Sequence, residues 1–323
     1  MKDLGYFLQK FENHLNAMKF VKEPQNLYLP IDYIMKLGGK RIRPCMALLF
    51  TEAYGRTVED AFPLASSIEI FHNFTLVHDD IMDEAPLRRG KVTVHEKWDI
   101  NTAILSGDSM MIVAYQQLLQ LDTPRFKALL DYFNKSALLV CEGQQKDMDF
   151  EKEDLVSLSE YLDMIKNKTA ILLAASMKLG AMFAGADEEQ MALVEEYGIK
   201  IGLAFQLRDD YLDVFGDEAL GKQAAGDILT NKKTALYLYA LEQASSTDKE
   251  TLLHYYSGKD FNPKEKIDTV LDIFERCGVK PYINSMTDDL VVTSNLLVSK
   301  MQIEDSYKTI LVELNDKIVN RNF

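Results

Sequence analysis

The sequence has 323 residues, of which 47% are hydrophobic and 27% are charged, and its formal net charge is −14. This composition is that of an ordinary globular protein, and the length suffices for a sizeable hydrophobic core. The acidic balance argues against a nucleic-acid-binding protein, because such proteins need a basic surface to meet the phosphate backbone. A phosphorylated small molecule is compatible with this charge, since a local cluster of basic residues can bind it whatever the total charge.

The three cysteines, Cys45, Cys141 and Cys277, are scattered along the chain and form no C-x-x-C pair. An odd number without metal-ligand spacing favours reduced thiols over a disulfide framework or a zinc site. No signal-peptide core is evident, and no apolar stretch is long and charge-free enough to span a bilayer. We therefore expect a cytoplasmic protein without stable membrane insertion.

The predicted elements are helices nearly throughout, beginning with an amphipathic pattern at residues 4–15. This pattern breaks at residues 37–44, where two glycines precede three cations, and again at residues 84–91, a second basic segment with a glycine. Residues 101–121 carry Asp108 as their only charge, and apolar side chains cover most of that helix surface. Such a helix is either buried on all sides or part of a subunit interface, and we favour the interface, because obligate dimer contacts resemble a core cut in half.

Farther along, residues 125–262 contain no proline, which predicts long uninterrupted helices. A third basic segment with glycines spans residues 216–234. Neither alternating strands nor a linker rich in Pro, Gly or Ser is evident. The sequence therefore predicts one all-α domain over residues 1–323.

Two acidic cassettes of the form D-D-x-x-D stand out, at residues 79–83 and 209–213. In a helix, the first and last carboxylates of each cassette lie one turn apart on the same face. A single cassette among 50 acidic residues is typical of a solvated helix face, but the second copy, the apolar flanks and the basic segments favour a metal site. Mg²⁺ binds one or two carboxylates and completes its shell with water and substrate phosphates. We interpret the cassettes as two walls of one site for a metal-assisted reaction on a phosphorylated substrate.

Other polar residues extend this interpretation. Glycines 38–39 allow a ligand to approach the backbone, and arginine donates a fork of hydrogen bonds to phosphate oxygens. Together they predict a second phosphate site that uses protein cations: Lys40, Arg43 and Arg89. His72 lies seven residues before Asp79, on the same predicted helix face, and Gln206 lies one turn before the second cassette. An amide dipole there suits a charge that develops during a reaction.

These motifs resemble, in order along the chain, those of the trans-isoprenyl diphosphate synthases of the polyprenyl synthetase family. The motifs that carry the resemblance are Gly38-Gly39-Lys40-Arg41-Ile42-Arg43-Pro44, the first cassette with Arg88-Arg89-Gly90, Gly143-Gln144 with Asp147, Lys168-Thr169, Phe205-Gln206 with the second cassette, and Gly221-Lys222 with Asp227 and Lys232. They cover most of residues 35–235, whereas the chain after about residue 240 matches only as generic helices.

The resemblance implies an isoprenoid-synthase helical bundle around a deep central cavity, acting as a homodimer with three Mg²⁺ ions in each active site. It implies metal-binding roles for six aspartates: Asp79, Asp80, Asp83, Asp209, Asp210 and Asp213. Among them Asp79, Asp83 and Asp209 resemble direct ligands, while Asp80 and Asp213 would support the shell through water.

The resemblance also implies roles for the remaining candidates. The allylic diphosphate would be held by four cations: Arg88, Lys168, Lys222 and Lys232. Isopentenyl diphosphate would be held by Lys40, Arg43, His72 and Arg89. The backbone near Lys168 and Thr169, with the Gln206 side chain, would stabilise the allylic cation. The implied reaction is the head-to-tail (1′-4) condensation of isopentenyl diphosphate with allylic diphosphates.

Phe74 and Thr75 bear on product length. Phe74 lies five residues before Asp79, about 7.5 Å along the helix. An aromatic residue there, before an unexpanded cassette, resembles enzymes that make C20 geranylgeranyl diphosphate. Thr75 stands where C15 enzymes usually have a second aromatic residue. A C15 farnesyl product and products of C25 and above are the alternatives.

Two further functions compete with this interpretation. A terpene cyclase would normally lack the Gly-Gly-Lys-x-x-Arg segment, because it needs no second diphosphate substrate. A non-catalytic partner subunit of a heteromeric synthase would be expected to lose aspartates from one cassette. The segment is present and both cassettes are complete, so the sequence favours an active synthase.

Overall fold

A computed structural model describes residues 2–153, 155–216, 225–258 and 261–320. The described chain is almost entirely helical, which confirms the all-α prediction. A short antiparallel hairpin of β1 (Leu87–Arg88) and β2 (Lys91–Val92) is its sole sheet. None of the described helices is both long and apolar enough to cross a membrane.

The chain divides into two compact units. Unit 1 comprises Met1–Asn134, Ala175–Glu195 and Gln302–Ile310. Unit 2 comprises Lys135–Ala174, Glu196–Met301 and Leu311–Phe323.

Unit 1 carries the first acidic cassette. Its own helices are α1 (Leu4–Ala17), α2 (Gln25–Lys36), α3 (Ile42–Ala53), α4 (Phe62–Met82), α5 (Val94–Lys97) and α6 (Ile100–Leu118), with a 3₁₀ turn at Glu59–Ala61. The side chain of Asp3 caps α1, and that of Asp99 caps α6, each by accepting a hydrogen bond from a backbone N–H of the first turn. Helix α4 packs against α3 and α6, and this packing fixes the cassette at the end of α4.

Helix α6 is apolar on two opposite faces. One face, with Met110 and Ala114, is buried within unit 1. On the other face, Leu105 and Ile112, together with Leu119 directly after the helix, are between 59% and 69% exposed. The helix is therefore not buried on all sides by its own chain, and it presents an apolar surface that unit 1 does not cover.

Unit 2 carries the second cassette. Its own helical elements are α8 (Leu158–Ile165), a π-helical turn (Lys166–Ala170), α11 (Gly226–Leu229), α12 (Ala235–Gln243), α13 (Ser246–Ser257), α14 (Pro263–Arg276) and α15 (Val279–Lys300). Its core includes the buried side chains of Leu207, Tyr237, Phe274 and Ile283.

Four further helices have residues in each unit: α7 (Phe126–Lys152), α9 (Ile171–Ala184), α10 (Glu188–Phe215) and α16 (Asp305–Asn320). Helix α7 has 27 residues and α10 has 28, which confirms the prediction of long helices in the proline-free stretch.

Candidate active site

The first cassette occupies the C-terminal end of α4, where its middle aspartate differs from the outer two. Asp80 is only 1% exposed, whereas Asp79 is half-buried and Asp83 is exposed. Arg88 of β1 donates two hydrogen bonds to Oδ1 of Asp80, from Nε at 2.9 Å and from Nη2 at 2.5 Å. Burial raises the pKa of the Asp80 carboxyl, and the Arg88 guanidinium opposes that shift. The hairpin after α4 is thereby tied to the cassette.

Arg89, the next residue of the hairpin, joins it to the loop before α3. Its guanidinium donates to the carbonyl oxygen of Gly38. A Cβ on Gly39 would lie 2.8 Å from Cζ of Arg89, and the φ of Gly39 is +137°. A side chain at position 39 would be strained at this φ and would also displace the guanidinium, so this loop favours glycine there. Lys40 lies exposed in the same loop.

The guanidinium of Arg43 contacts the imidazole of His72 in unit 1. Nη1 of Arg43 lies 3.3 Å from Nε2 of His72, and Nε of Arg43 is buried without a hydrogen-bond partner. Burial, together with the charges of Arg43 and Arg89, holds the pKa of His72 well below its usual value. The imidazole is therefore neutral at pH 7 and accepts from Arg43. Burial and Arg89 also lower the pKa of Arg43, so this cluster of cations favours the binding of an anion.

Arg41 has a structural role that the sequence analysis did not foresee. It is 4% exposed, and its guanidinium donates to Glu69 Oε1 at 2.5 Å, to Glu12 Oε1 at 3.0 Å and to the Met35 carbonyl at 2.6 Å. These bonds fix the Gly-Gly loop to α1, α2 and α4. An acidic residue such as Glu69 within an apolar helix was the available signal, because a buried carboxylate requires a cationic partner.

Phe74 and Thr75 lie on α4, one turn before the cassette. The Phe74 ring is 4.8 Å from the His78 ring and 5.6 Å from that of Phe71, which in turn packs at 5.5 Å against Phe133. The Thr75 hydroxyl donates to the His72 carbonyl at 2.7 Å and so is satisfied within its own helix. Phe74 is therefore held between two rings.

In unit 2, Lys168 and Thr169 belong to the π-helical turn. Nζ of Lys168 donates to Oδ2 of Asp147 at 2.5 Å. The turn packs directly on Gly143 of α7, where a Cβ would lie 2.3 Å from the backbone nitrogen of Lys168. Single π-helical turns are rare in proteins as a whole, but those that occur often lie at functional sites. Here the turn interrupts the regular helix at the two residues that the resemblance singled out.

The second cassette, on α10, again buries its middle aspartate. Asp210 is 4% exposed, while Asp209 and Asp213 are half-buried. The Tyr161 hydroxyl donates to Oδ2 of Asp210 at 2.5 Å, and Nε2 of Gln206 donates to Oδ1 at 2.9 Å. Burial raises the pKa of Asp210 to about 7, and the hydrogen bonds from Tyr161 and Gln206 oppose that shift.

Gln206 also contacts the π-helical turn, because its Oε1 accepts a hydrogen bond from the Thr169 hydroxyl at 3.1 Å. Tyr161 is a site residue that sequence reasoning missed. Its position on the buried face of α8 was the available signal, since a buried tyrosine hydroxyl usually requires a partner.

Asp213 anchors the described part of the third basic segment. Its Oδ1 accepts from the backbone N–H of Asp227 at 2.8 Å, and its carbonyl accepts from the N–H of Ala225 at 2.8 Å. Nζ of Lys232 lies 3.9 Å from Oδ1 of Asp227. Lys222, which was predicted to bind the allylic diphosphate, lies outside the described residues.

The donor set of the two cassettes fits a hard cation. No three His, Cys, Asp or Glu side chains converge on a common point in the part of the chain that the structure describes. A Mg²⁺ ion does not require such a cage, because it uses one or two carboxylates together with water and phosphates. Oδ2 of Asp80 is buried without a hydrogen-bond partner and can accept from a water on such an ion.

The predicted site residues therefore fall into two groups. Unit 1 contains Lys40, Arg43, His72, Phe74, Thr75, Asp79, Asp80, Asp83, Arg88 and Arg89. The described part of unit 2 contains Lys168, Thr169, Gln206, Asp209, Asp210, Asp213 and Lys232. Within the groups the structure brings together Arg43 with His72, Asp80 with Arg88, and Thr169 with Gln206 and Asp210.

Comparison with known proteins identifies the family. Residues 24–274 match the model of the polyprenyl synthetase family. The short chain isoprenyl diphosphate synthase of Methanothermobacter thermautotrophicus is 40% identical over 270 residues, which are 83% of this chain and 82% of that protein. A crystal structure of a geranylgeranyl pyrophosphate synthase is 42% identical, with a TM-score of 0.94 and coverage of 99% of both chains.

A second solved structure is that of a polyprenyl synthase from Caulobacter crescentus in complex with calcium and isoprenyl diphosphate. It is 25% identical, with a TM-score of 0.88, and the match covers 99% of this chain and 97% of that one. These similarities confirm the predicted helical-bundle fold. The chain belongs to the polyprenyl synthetase family.

Proposed function

We propose that the chain condenses isopentenyl diphosphate with allylic diphosphates, head to tail, and that its main product is C20 geranylgeranyl diphosphate. The observation that carries this proposal is the pair of D-D-x-x-D cassettes, each with a buried middle aspartate and two more accessible outer ones. The names of the short-chain and geranylgeranyl relatives support the product class. The family match spans residues of both units and supports one catalytic domain over residues 1–323.

Asp79, Asp83 and Asp209 are the proposed ligands of three Mg²⁺ ions, and Asp80 and Asp213 act through bound water. The calcium complex of the Caulobacter relative supports a divalent cation in this family. When bound, Mg²⁺ supplies Lewis-acid neutralisation of the diphosphate leaving group. The Arg88 bond to Asp80 and the Asp227 bond to Asp213 hold these two carboxylates in place.

Protein cations complete the proposed diphosphate sites. The allylic diphosphate is assigned to Arg88, Lys168, Lys232 and Lys222, the last lying outside the described residues. Isopentenyl diphosphate is assigned to Lys40, Arg43, His72 and Arg89. Burial lowers the pKa values of both Arg43 and Arg89, and the charges of neighbouring arginines lower them further. This supports the second assignment, because a bound diphosphate would stabilise these buried cations.

The proposed reaction begins when the allylic C–O bond breaks and diphosphate departs with the bonding electrons. The positive charge that develops on the allyl group is stabilised by the Gln206 carbonyl dipole and the backbone near Lys168 and Thr169. The double bond of isopentenyl diphosphate then attacks the allylic carbon, which forms the new C–C bond. Loss of one proton, accepted by the released diphosphate, restores a double bond. Water must be excluded meanwhile, or it would capture the cation.

Phe74 is proposed to limit chain growth at C20. Its ring is held by Phe71 and His78 on α4, so a growing chain that reaches it meets a fixed obstacle. Thr75 adds no second aromatic ring at the neighbouring position. C15 and products of C25 and above remain the alternative lengths.

A homodimer is proposed from the exposed apolar face of α6. Leu105, Ile112 and Leu119 would lose their contact with water in such a dimer, and burial of apolar area is the main driving force for stable association.

The proposal is tested by incorporation of labelled isopentenyl diphosphate into prenyl products by the purified chain, with and without Mg²⁺. Asp79→Asn and Asp209→Asn should each lower kcat by about a hundred-fold or more, since a catalytic metal contributes several kcal/mol. Asp60→Asn, at a largely exposed position, is the matched control and should retain full activity. Wild-type protein without Mg²⁺-dependent incorporation would refute the proposed function.

A further inference from the structure

A hydrogen-bonded chain of four side chains runs through unit 2 from α8 to the π-helical turn. Tyr161 donates to Asp210 at 2.5 Å, Gln206 donates to the other oxygen of Asp210 at 2.9 Å, and Thr169 donates to Gln206 at 3.1 Å. Two members, Tyr161 and Asp210, are buried, being 4% exposed each. These hydrogen bonds thus connect Tyr161, a residue with no assigned role, to the Gln206 amide, the group proposed to face the allylic cation.

We propose that Tyr161 is a positioning residue, which acts through Asp210 to fix the orientation of the Gln206 amide. This inference rests on the proposed function, because it assigns the amide orientation to stabilisation of the allylic cation. It also assigns Asp210 to this hydrogen-bonded chain and not to the metal ligands.

The orientation follows from hydrogen-bond chemistry. Both oxygens of Asp210 accept hydrogen bonds, Oδ2 from the Tyr161 hydroxyl and Oδ1 from Gln206, whereas a carboxamide has one end that donates and one that accepts. Asp210 therefore accepts a hydrogen bond from the NH₂ group of Gln206, and the amide oxygen faces Thr169. That oxygen is the negative end of the amide dipole, which is the end that stabilises a developing cation. With the amide reversed, the NH₂ group would face the cation and repel it.

Tyr161 is needed because Asp210 is shielded from water. With its Tyr161 bond removed, Oδ2 of Asp210 would be a buried acceptor that has lost its donor, and such a group is costly. Asp210 would then rotate or move toward water, and its hold on Gln206 would weaken. The first cassette uses its middle aspartate comparably, since Asp80 is buried and holds Arg88.

The central variant is Tyr161→Phe, which deletes one hydroxyl and keeps the ring. We expect kcat to fall about ten-fold or more, because hydrogen bonds to charged groups typically contribute more than neutral ones. The KM for both diphosphates and the Mg²⁺ concentration for half-maximal rate should stay within about two-fold of the wild-type values. The loss of one hydrogen bond to a substrate would change KM by more than this. Asp210→Asn should lower kcat at least as much, with the same unchanged Mg²⁺ requirement.

Matched variants separate this role from general packing. Tyr197→Phe removes a buried hydroxyl that bonds Asn315 at 2.9 Å, outside the chain of four, and should leave kcat unchanged. Asp213→Asn should raise the Mg²⁺ requirement. In a Gln206→Leu background, Tyr161→Phe should cause no further loss of kcat, because coupled residues are not additive.

The outcomes are distinct. A wild-type chain without prenyl diphosphate synthesis refutes the proposed function and the inference with it. With an active wild type, three results would overturn the inference alone. These are a Tyr161→Phe variant no slower than Tyr197→Phe, a full additional loss in the Gln206→Leu background, or a raised Mg²⁺ requirement in Asp210→Asn. Should Tyr161→Phe fail to fold, Asp210→Asn with and without Gln206→Leu provides the test, and a full additional loss of kcat in the Gln206→Leu background would overturn the inference.

Discussion

Gly143 sets the distance between α7 and the π-helical turn that carries Lys168. A Cβ at this position would lie 2.3 Å from the backbone nitrogen of Lys168 and 2.7 Å from its Cα. Ordinary contact begins at 3.4 Å, so the shorter distance falls about 1 Å below it. The neighbour is backbone and cannot rotate away as a flexible side chain would. Gly143→Ala must therefore move the turn, α7 or both.

The size of the effect follows from this displacement. Overpacking a close-packed contact costs about 1–3 kcal/mol, and alanine regains up to about 1 kcal/mol over glycine in a helix. We expect a net loss of about 1–2 kcal/mol in the free energy of unfolding. Activity should suffer more, because a shift of about 1 Å in a positioned group lowers the rate by about a hundred-fold.

The assay compares kcat and urea unfolding of Gly143→Ala with those of Gly5→Ala. Gly5 is also helical, but the nearest atoms to a Cβ there belong to the side chain of Asp3, the closest at 3.2 Å, and not to backbone. The control should change the free energy of unfolding by no more than about 0.5 kcal/mol, as surface substitutions usually do, and should keep its kcat. Wild-type activity and stability in Gly143→Ala would refute the reasoning.

Three further predictions follow from unit 1. Phe74→Ala should shift the products to longer chains on reversed-phase chromatography; an unchanged distribution would mean that Phe74 does not limit growth. Ile112→Asp should turn a dimer into a monomer in sedimentation, and a monomeric wild type would contradict the proposed interface. The pKa of His72 lies well below 6.5 in the folded chain, so the unfolded chain binds the proton more strongly. The contribution of the neutral imidazole to stability is full well above pH 6.5 and is lost progressively as the pH falls through 6.5 toward the lower folded pKa, by up to about 1.4 kcal/mol per pH unit. His72→Gln should flatten that decline in urea titrations, and equal slopes would count against it.

The helical fold and the outer aspartates of the two cassettes were predictable because their sequence patterns are local. Absence of proline over residues 125–262 anticipated α7 and α10, and each cassette places its outer aspartates one turn apart whatever surrounds it. The apolar pattern of residues 101–121 likewise predicted a helix, although it left open whether that helix is buried on all sides or lies at a subunit interface.

The residues that sequence reasoning missed depend on contacts between distant parts of the chain. Tyr161 lies 49 residues from Asp210, and Arg41 lies 28 residues from Glu69. No periodicity links such pairs, because partner choice is decided by how the helices pack. The close approach of Gly143 to Lys168 is hidden in the sequence for the same reason, although each residue belongs to a motif that carries the family resemblance.

The most direct test of the central claim is product analysis of the purified chain with Mg²⁺, isopentenyl diphosphate and, in turn, C5, C10 and C15 allylic diphosphates. We predict C20 geranylgeranyl diphosphate as the main product from each starter. No prenyl diphosphate from any starter would contradict the proposed activity and favour a partner subunit that needs a second chain.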